Sequence, residues 1–236
     1  MLGHNHALFS VAAWCAVSAS PLVGDLDVSG VAVGALVSAG AALLPDVDHP
    51  SASVARSLPP LTVWVARLVS AVGGGHRGIT HSLVGAVLFV ALVAVTPWRA
   101  WSAVVCGVSV SVVPTVVGGV CVALAVRAVW KKSPGLVQWA VCLVGAVVCG
   151  VWSGAWMGVA LICGWVSHIV ADSVTVAGVP LVWPLRPRPL VDTPLWRRSG
   201  CFALPVLGKA GSGVEYGVVS VLVVAAVAWR AWMMVA

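Results

Sequence analysis

Six histidines and seven acidic residues are spread over 236 positions, yet seven of these thirteen fall in three short blocks whose spacing suits metal chemistry. "LPDVDH" sets Asp46, Asp48 and His49 between Pro45 and Pro50. "HRGITH" places His76 and His81 on either side of a turn relaxed by Gly78, with Arg77 inside it. "HIVAD" spaces His168 and Asp172 four residues apart, on one face of a helix. Imidazole nitrogens and carboxylate oxygens are the ligand set of Zn²⁺, the first expectation, and of Mn²⁺ and Fe²⁺ after it. Asp46, Asp48, His49, His76, His81, His168 and Asp172 exceed what one four-coordinate ion needs. The excess either orients the ligands or serves a second ion about 3.5–4 Å from the first. Such an ion lowers the pKa of water and polarises an acyl or phosphoryl oxygen, so hydrolysis is the natural reaction. Asp46 or Asp48, whichever does not hold the ion, would be the general base on the attacking water. The planar donor fork of Arg77 suits a phosphate or carboxylate.

Each block also has a plainer reading. Asp46 to His49 reads equally as a polar loop at a membrane surface. Thr80 or Ser82 would cap the helix that follows, Arg77 would anchor a loop, and His168 with Asp172 would simply share a hydrogen bond.

The framework that must position these blocks is a membrane one. Hydrophobic residues make up 61% of the chain and charged residues 8%, with a mean hydropathy of +1.06, far from the charged quarter of an ordinary soluble domain. A hydrocarbon core of about 30 Å takes roughly 20 apolar residues per helix. Apolar runs of suitable size cover residues 7–24, 28–44, 82–98, 100–126, 133–167 and 217–236. The run 133–167 is too long for one ordinary span and divides at "GVWSGAW" into helices near 136–151 and 154–171. The fold class is therefore all-α: a polytopic membrane bundle of about seven transmembrane helices, with a kink predicted at Pro114. Residues 58–73, apolar but short and interrupted by Arg67, read as an interfacial or re-entrant helix. The N-terminus lacks the basic start and cleavage site of a secretory signal and reads as a retained first helix.

Residues 1–236 thus form a single transmembrane domain carrying a motif loop at 45–81 and a Pro/Arg-rich loop at 172–216. Seven spans put eleven of the thirteen basic residues on one side, among them Arg56, Lys131 and Lys132, which makes that side cytoplasmic. The N-terminus is then cytoplasmic and the C-terminus outside. All six histidines, with Asp46, Asp48 and Asp172, fall on that same edge, and Asp192 and Glu215 lie on the side that would let them contribute. Glu215 also suits the N-terminal end of the last helix dipole. The net charge of +6 needs no nucleic acid to account for it; the partners expected are membrane lipids and a lipid or amphipathic substrate. Seven cysteines without a C-x-x-C pair read as small apolar residues.

The blocks "LLPDVDHP", "HRGITHS" and "HIVADSVTVAGVPLVWP", in this order, resemble the signature blocks of the YdjM-type family of inner-membrane proteins. That family is assigned metal-dependent hydrolase chemistry and, in some members, regulation by the SOS repressor LexA. The resemblance extends from the N-terminal histidines to about residue 184. It implies a site carried by Asp46, Asp48 and His49; by His76, Arg77, Thr80, His81 and Ser82; and by His168, Asp172, Thr175 and Gly178. It adds a ligand just before the first span, where His6 fits better than His4. On this basis the catalytic set is Asp46, Asp48, Arg77 and Thr80, and Arg77, Ser82 and Thr175 would hold substrate. The Pro/Arg-rich stretch 184–213 departs from the pattern.

Two other functions fit the same residues. A metal-ion or proton transporter would use the His/Asp cluster as a pathway, but should place it near the bilayer midplane, often with an internal repeat, and no repeat is evident. A scaffold with a structural ion would close the coordination shell.

Overall fold

The computed structural model describes residues 1–52, 54–55, 60–130, 135–191 and 193–236; Arg56, Lys131, Lys132 and Asp192 lie outside these described residues. The chain folds in the order α1 (Gly3–Val17), α2 (Val28–Ala41), a 3-10 turn (Pro45–Asp48), α3 (Leu61–Val72), a second 3-10 turn (Ile79–His81) and α4 (Leu83–Val95). A hairpin of β1 (Ser102–Val105) and β2 (Val108–Ser111) follows, then α5 (Val112–Val129), α6 (Gly135–Val151), α7 (Trp156–Ser173) and α8 (Gly213–Met233).

Four segments are long and apolar enough to cross a bilayer: Val28–Asp48, Val112–Val129, Trp156–Ser173 and Gly213–Met233. α1, α4 and α6 have 15, 13 and 17 residues, about 20 to 26 Å at 1.5 Å per residue, short of a 30 Å hydrocarbon core. Among the described residues, length and apolarity therefore single out four spans, and the expected seven is not confirmed. The break in 133–167 falls where the sequence placed it, between Val151 and Trp156.

The run 100–126 is corrected at its first third. Residues 102–111 pair as an antiparallel hairpin, Ser102 opposite Ser111 and Val105 opposite Val108. Cys106 and Gly107 both have positive φ, the backbone of a two-residue hairpin turn whose twist matches its strands. An apolar run does not by itself distinguish strand from helix, and alternating Val and Ser around Cys-Gly were the unread signal. Because α5 begins only at Val112, Pro114 lies in its first turn, where an N–H has no helical partner to lose; the predicted kink has no cause there.

α2 is the hub, packed against α1, α5 and α7, while α1 also meets α7 and α8, and α4 meets α7. The core joins Trp14, Val37, Cys121, Cys149, Met157 and Leu161 from five helices. Gly40 lets α5 approach α2, a Cβ there falling 1.9 Å from the Cys121 carbonyl oxygen, and Gly164 does the same for α7, where a Cβ would fall 2.4 Å from the carbonyl oxygen of Ser38 on α2. One turn further along α7, His168 consequently reaches the end of α2. α3, at 12 residues about 18 Å long, cannot cross; it exposes Trp64, Val65, Leu68 and Val72, buries Ala66 and rests on the Pro45–Asp48 turn.

α1 and α8 run in parallel: Asn5 meets Glu215 at one end and Ser18 meets Arg230 at the other. The first of these ends also gathers the finish of α2, the start of α4 and the finish of α7. The hairpin, the start of α2 and the finish of α8 lie at the far end. Replacing Gly164 by Val should wedge α7 from α2 and destabilise the protein by about 1–3 kcal/mol, read as a lower unfolding midpoint in detergent, whereas Gly217→Ala, inside α8 with nothing near its Cβ, should keep or raise the midpoint.

Candidate metal centre

Histidine at the end of an apolar helix is costly unless both ring nitrogens are used, and His168 is fully buried. Its Nδ1 lies 2.6 Å from the carbonyl oxygen of Ala42. A carbonyl only accepts, so Nδ1 carries the proton and Nε2 presents a lone pair. That Nε2 lies 3.0 Å from His81 Nε2. His81, also fully buried, has its Nδ1 beside Thr80 Oγ1 at 2.9 Å and Asp48 Oδ2 at 3.4 Å. Its second nitrogen is thus turned toward His168 as well.

Asp46 Oδ1 completes the group, 3.6 Å from His81 Nε2 and 3.8 Å from His168 Nε2. Four ligands at about 2.1 Å around one tetrahedral ion lie about 3.4 Å from each other; the three separations of 3.0, 3.6 and 3.8 Å bracket that value. Two imidazole lone pairs pointed at each other repel unless a cation stands between them, and the donor set is the one Zn²⁺ accepts. The residues present therefore fit a divalent ion. Burial alone would depress the His81 pKa, but hydrogen bonds and Coulomb attraction from Asp46 and Asp48 outweigh it and raise it to about 9. In the metal-free protein the cation at this position is accordingly a proton.

Asp48, 1% exposed, serves its neighbours. Its Oδ1 pairs with His76 Nδ1 at 2.9 Å, and its Oδ2 accepts from the Thr80 hydroxyl at 2.6 Å and the Arg77 amide at 3.0 Å. Through Oδ2 it also sets the tautomer of His81, as a carboxylate behind a metal-bound histidine does. Arg77 adopts a φ of 59°, which aims its amide at Asp48 while its guanidinium reaches Asp172 Oδ2 at 2.7 Å and the Gly178 carbonyl at 2.9 Å. Gly178 is itself held at φ 66°, and a Cβ there would sit 2.3 Å from the Phe202 carbonyl oxygen. The Arg77 fork is thereby committed inside the protein.

Asp172 is ringed by cations and donors: the N-terminal ammonium, His6 Nε2 at 3.3 Å, Arg77, and His81 Nε2 at 3.9 Å. His6 stacks on His168 with ring centroids 3.8 Å apart, and its buried Nδ1 has no hydrogen-bond partner among the described residues. Three overlapping sets are close enough to share an ion: His6, His168 and Asp172; Asp46, His81 and His168; Asp46, Asp48 and His76. His49 lies outside them; its Nδ1 meets the Ser51 hydroxyl at 2.7 Å and its ring stands perpendicular to that of His76. His4 stacks on Tyr216 instead of joining the cluster.

Two hydroxyls assigned to substrate are occupied. Ser82 caps α4, accepting from Gly85 N at 3.1 Å and donating to Ile79 O at 2.7 Å, and Thr175, 1% exposed, donates to the Asp172 carbonyl. The 172–216 loop closes over this end: Leu83 N donates to Leu181 O, and Arg186 lies 3.4 Å from the carbonyl oxygens of Gly74 and Arg77.

Asn5 and Glu215, both fully buried, form a supporting element; Glu215 lies at the start of the last helix on the side expected, whereas Asn5 was not singled out. Glu215 accepts from Asn5 Nδ2 at 2.5 Å, Leu2 N at 3.0 Å and Gly211 N at 3.0 Å, which pins the start of α1 and so the position of His6. The available signal was Ser212 three residues before Glu215, a capping-box spacing, with Ser212 Oγ accepting from Glu215 N.

A buried constellation of histidine and aspartate at one end of a helical membrane bundle defines a membrane protein with a candidate metal centre. The chain belongs to the YdjM inner membrane protein family, which it matches over residues 1–236. It is 27% identical to inner membrane protein YdjM of Escherichia coli K12 over 239 aligned positions, covering 99% of this chain and 83% of that protein, and the relative from Shigella flexneri gives the same figures. No solved structure matches it.

Elemental analysis of purified protein should find bound divalent metal, lost when His168 or His81 is replaced by Ala. Ser82→Ala, which removes only a helix cap worth about 1 kcal/mol, should lower the unfolding midpoint and keep the metal.

Proposed function

We propose that this protein is a metal-dependent hydrolase acting at the cytoplasmic surface of the inner membrane on a lipid or a lipid-linked ester or phosphoester. The observation that carries the reading is the facing pair of Nε2 atoms on His81 and His168 beside Asp46, the one member of the three that lines a cavity. A cavity of about 180 Å³ is bordered by Gly3, His4, Leu43, Asp46, Val54 and Ala128, among others. Asp46 is 25% exposed whereas His81, His168, Asp48 and Asp172 are enclosed, so approach to the centre is by way of Asp46.

His81, His168 and Asp46 Oδ1 would hold the ion, Zn²⁺ first by donor set, with His6 and Asp172 available to a second. When bound, the ion supplies Lewis-acid polarisation of the scissile carbonyl or phosphoryl group and a more acidic water. Asp46 has a second oxygen with no protein partner among the described residues, and this oxygen would take the proton of the attacking water, so that one carboxylate both holds the ion and acts as base in place of the unbound carboxylate first expected. Asp48, Thr80 and the Ala42 carbonyl fix the imidazoles so that no reorganisation is needed during reaction. Arg77 holds Asp172 and the 172–216 loop against the site, a positioning task in place of the substrate contact first assigned to it. The apolar wall of Leu43, Val54 and Ala128 suits an acyl chain entering from the bilayer. Within this reading α1, α4 and α6 also cross, beside the four longer spans, which puts the centre and the N-terminus in the cytoplasm and the C-terminus outside.

The test is hydrolysis of fluorogenic acyl-ester and phosphodiester lipids by protein reconstituted in liposomes. Activity should disappear with chelator and return with Zn²⁺ or Mn²⁺, and Asp46→Asn should lower kcat by about 10²-fold or more, the scale of a lost general base. Metal transport across the liposome wall without hydrolysis of any lipid would point to the carrier alternative and overturn this one.

A further inference from the structure

Near the far end of the bundle, α8 inverts the polarity a membrane helix should have. Arg230 is the sole charged side chain in its last three turns and is 8% exposed, whereas its neighbours Trp229, Trp232 and Met233 are 42%, 62% and 46% exposed. A guanidinium has five N–H donors. Two are used on α1: Nε donates to Ser18 Oγ at 3.1 Å and Nη2 to Ser18 O at 3.3 Å. No carboxylate of the described residues lies within ion-pair distance of it. A desolvated cation so poorly matched is costly, and its remaining donors are left to the cleft it borders.

That cleft, about 760 Å³, is walled by Ser18, Ser20, Asp25, Asp27, Arg230 and Met234, among others. Asp27 spends Oδ1 on capping α2, accepting from Gly30 N at 2.8 Å; Asp25 is exposed. The cleft therefore offers one cation on the α8 wall and two carboxylates on the α1–α2 wall. It lies where two candidate spans end, at Val28 and Met233, and outward-facing Trp229 and Trp232 mark headgroup depth. Arg230 is fifteen residues from Glu215, about 22 Å along α8, so the cleft and the metal centre occupy opposite membrane faces.

We propose that this cleft binds the phosphoethanolamine headgroup of a zwitterionic phospholipid, the phosphate on Arg230 and the ammonium on Asp25 and Asp27. The site is separate from the hydrolytic one and does not depend on it. Arg is suited to phosphate by its planar fork, and the paired carboxylates exclude a headgroup that carries negative charge alone.

The full chain, purified in detergent, is titrated with phosphatidylethanolamine, phosphatidylglycerol, soluble glycerophosphoethanolamine and inorganic phosphate, with retained lipid counted by native mass spectrometry and binding of the soluble probes by thermal shift. Wild type should retain phosphatidylethanolamine over phosphatidylglycerol, and Arg230→Gln should weaken that retention about tenfold, as loss of a charge-assisted hydrogen bond does. Asp25→Asn combined with Asp27→Asn, which keeps a capping side chain on α2, should retain phosphate binding and erase the preference between the two lipids. A thermal shift with glycerophosphoethanolamine but no retained lipid would assign the cleft to a soluble phosphoethanolamine ester and overturn the lipid. Equal retention of phosphatidylethanolamine by wild type and Arg230→Gln, or a response to inorganic phosphate alone, would overturn the zwitterionic site. Should Arg230→Gln fail to fold, an unchanged lipid preference in the double Asp variant overturns the proposal, and loss of the preference upholds it.

Discussion

The contact on which the site depends is the hydrogen bond from His168 Nδ1 to the Ala42 carbonyl at 2.6 Å. It exists because α7 lies directly on α2 at Gly164, and it does two things together. It satisfies a carbonyl at the end of α2 that has no helical donor, and it fixes which nitrogen of the imidazole is left for the centre. Everything else at this end of the molecule is arranged around that second nitrogen: His81 opposite it, Asp46 beside it, His6 stacked over the ring.

Charge balance is the second constraint. Asp46, Asp48 and Asp172 are drawn from two helix ends and are compensated by His81, Arg77 and the N-terminal ammonium, with His6 Nε2 beside Asp172. In a low-dielectric setting a half-satisfied network is worse than none, which accounts for how thoroughly Asp48 and Asp172 are hydrogen-bonded. Asp46 is the exception, partly open to a cavity, and the candidate chemistry belongs to that exception. Residues that sequence chemistry would cast as reagents, such as the buried Thr80 and Ser82 and the half-buried Arg77, are instead consumed in holding the cluster still.

Much of this was legible before any coordinates. The three blocks and His6 gather at one end of the bundle, because apolar run lengths fix which helix ends share an edge and the ionisable residues mark that edge. The helices of α2, α4, α6, α7 and α8 also fall within a few residues of their apolar runs. What could not be read is equally physical. The Ala42 carbonyl is backbone and has no letter. The pairing of Asn5 with Glu215 spans 210 residues, and no local pattern encodes it. The hairpin at 102–111 was hidden because valine favours strands as readily as it fills a membrane helix. Seven spans were expected from apolar runs that included loop residues, whereas the helices of α1, α4 and α6 stop short.

The chain order of the contributing residues carries a consequence for biosynthesis. His6, Asp46, Asp48 and His81 leave the ribosome long before α7 delivers His168 and Asp172, and α8, which clamps the start of α1 through Glu215, arrives last. The nascent protein can therefore pair Asp46 and Asp48 with His76, Arg77 and His81 as soon as the second block is made, whereas the candidate ligand set stays incomplete until α7 follows. A chain lacking α7 would keep the acids of the first block but lack the histidine that faces His81.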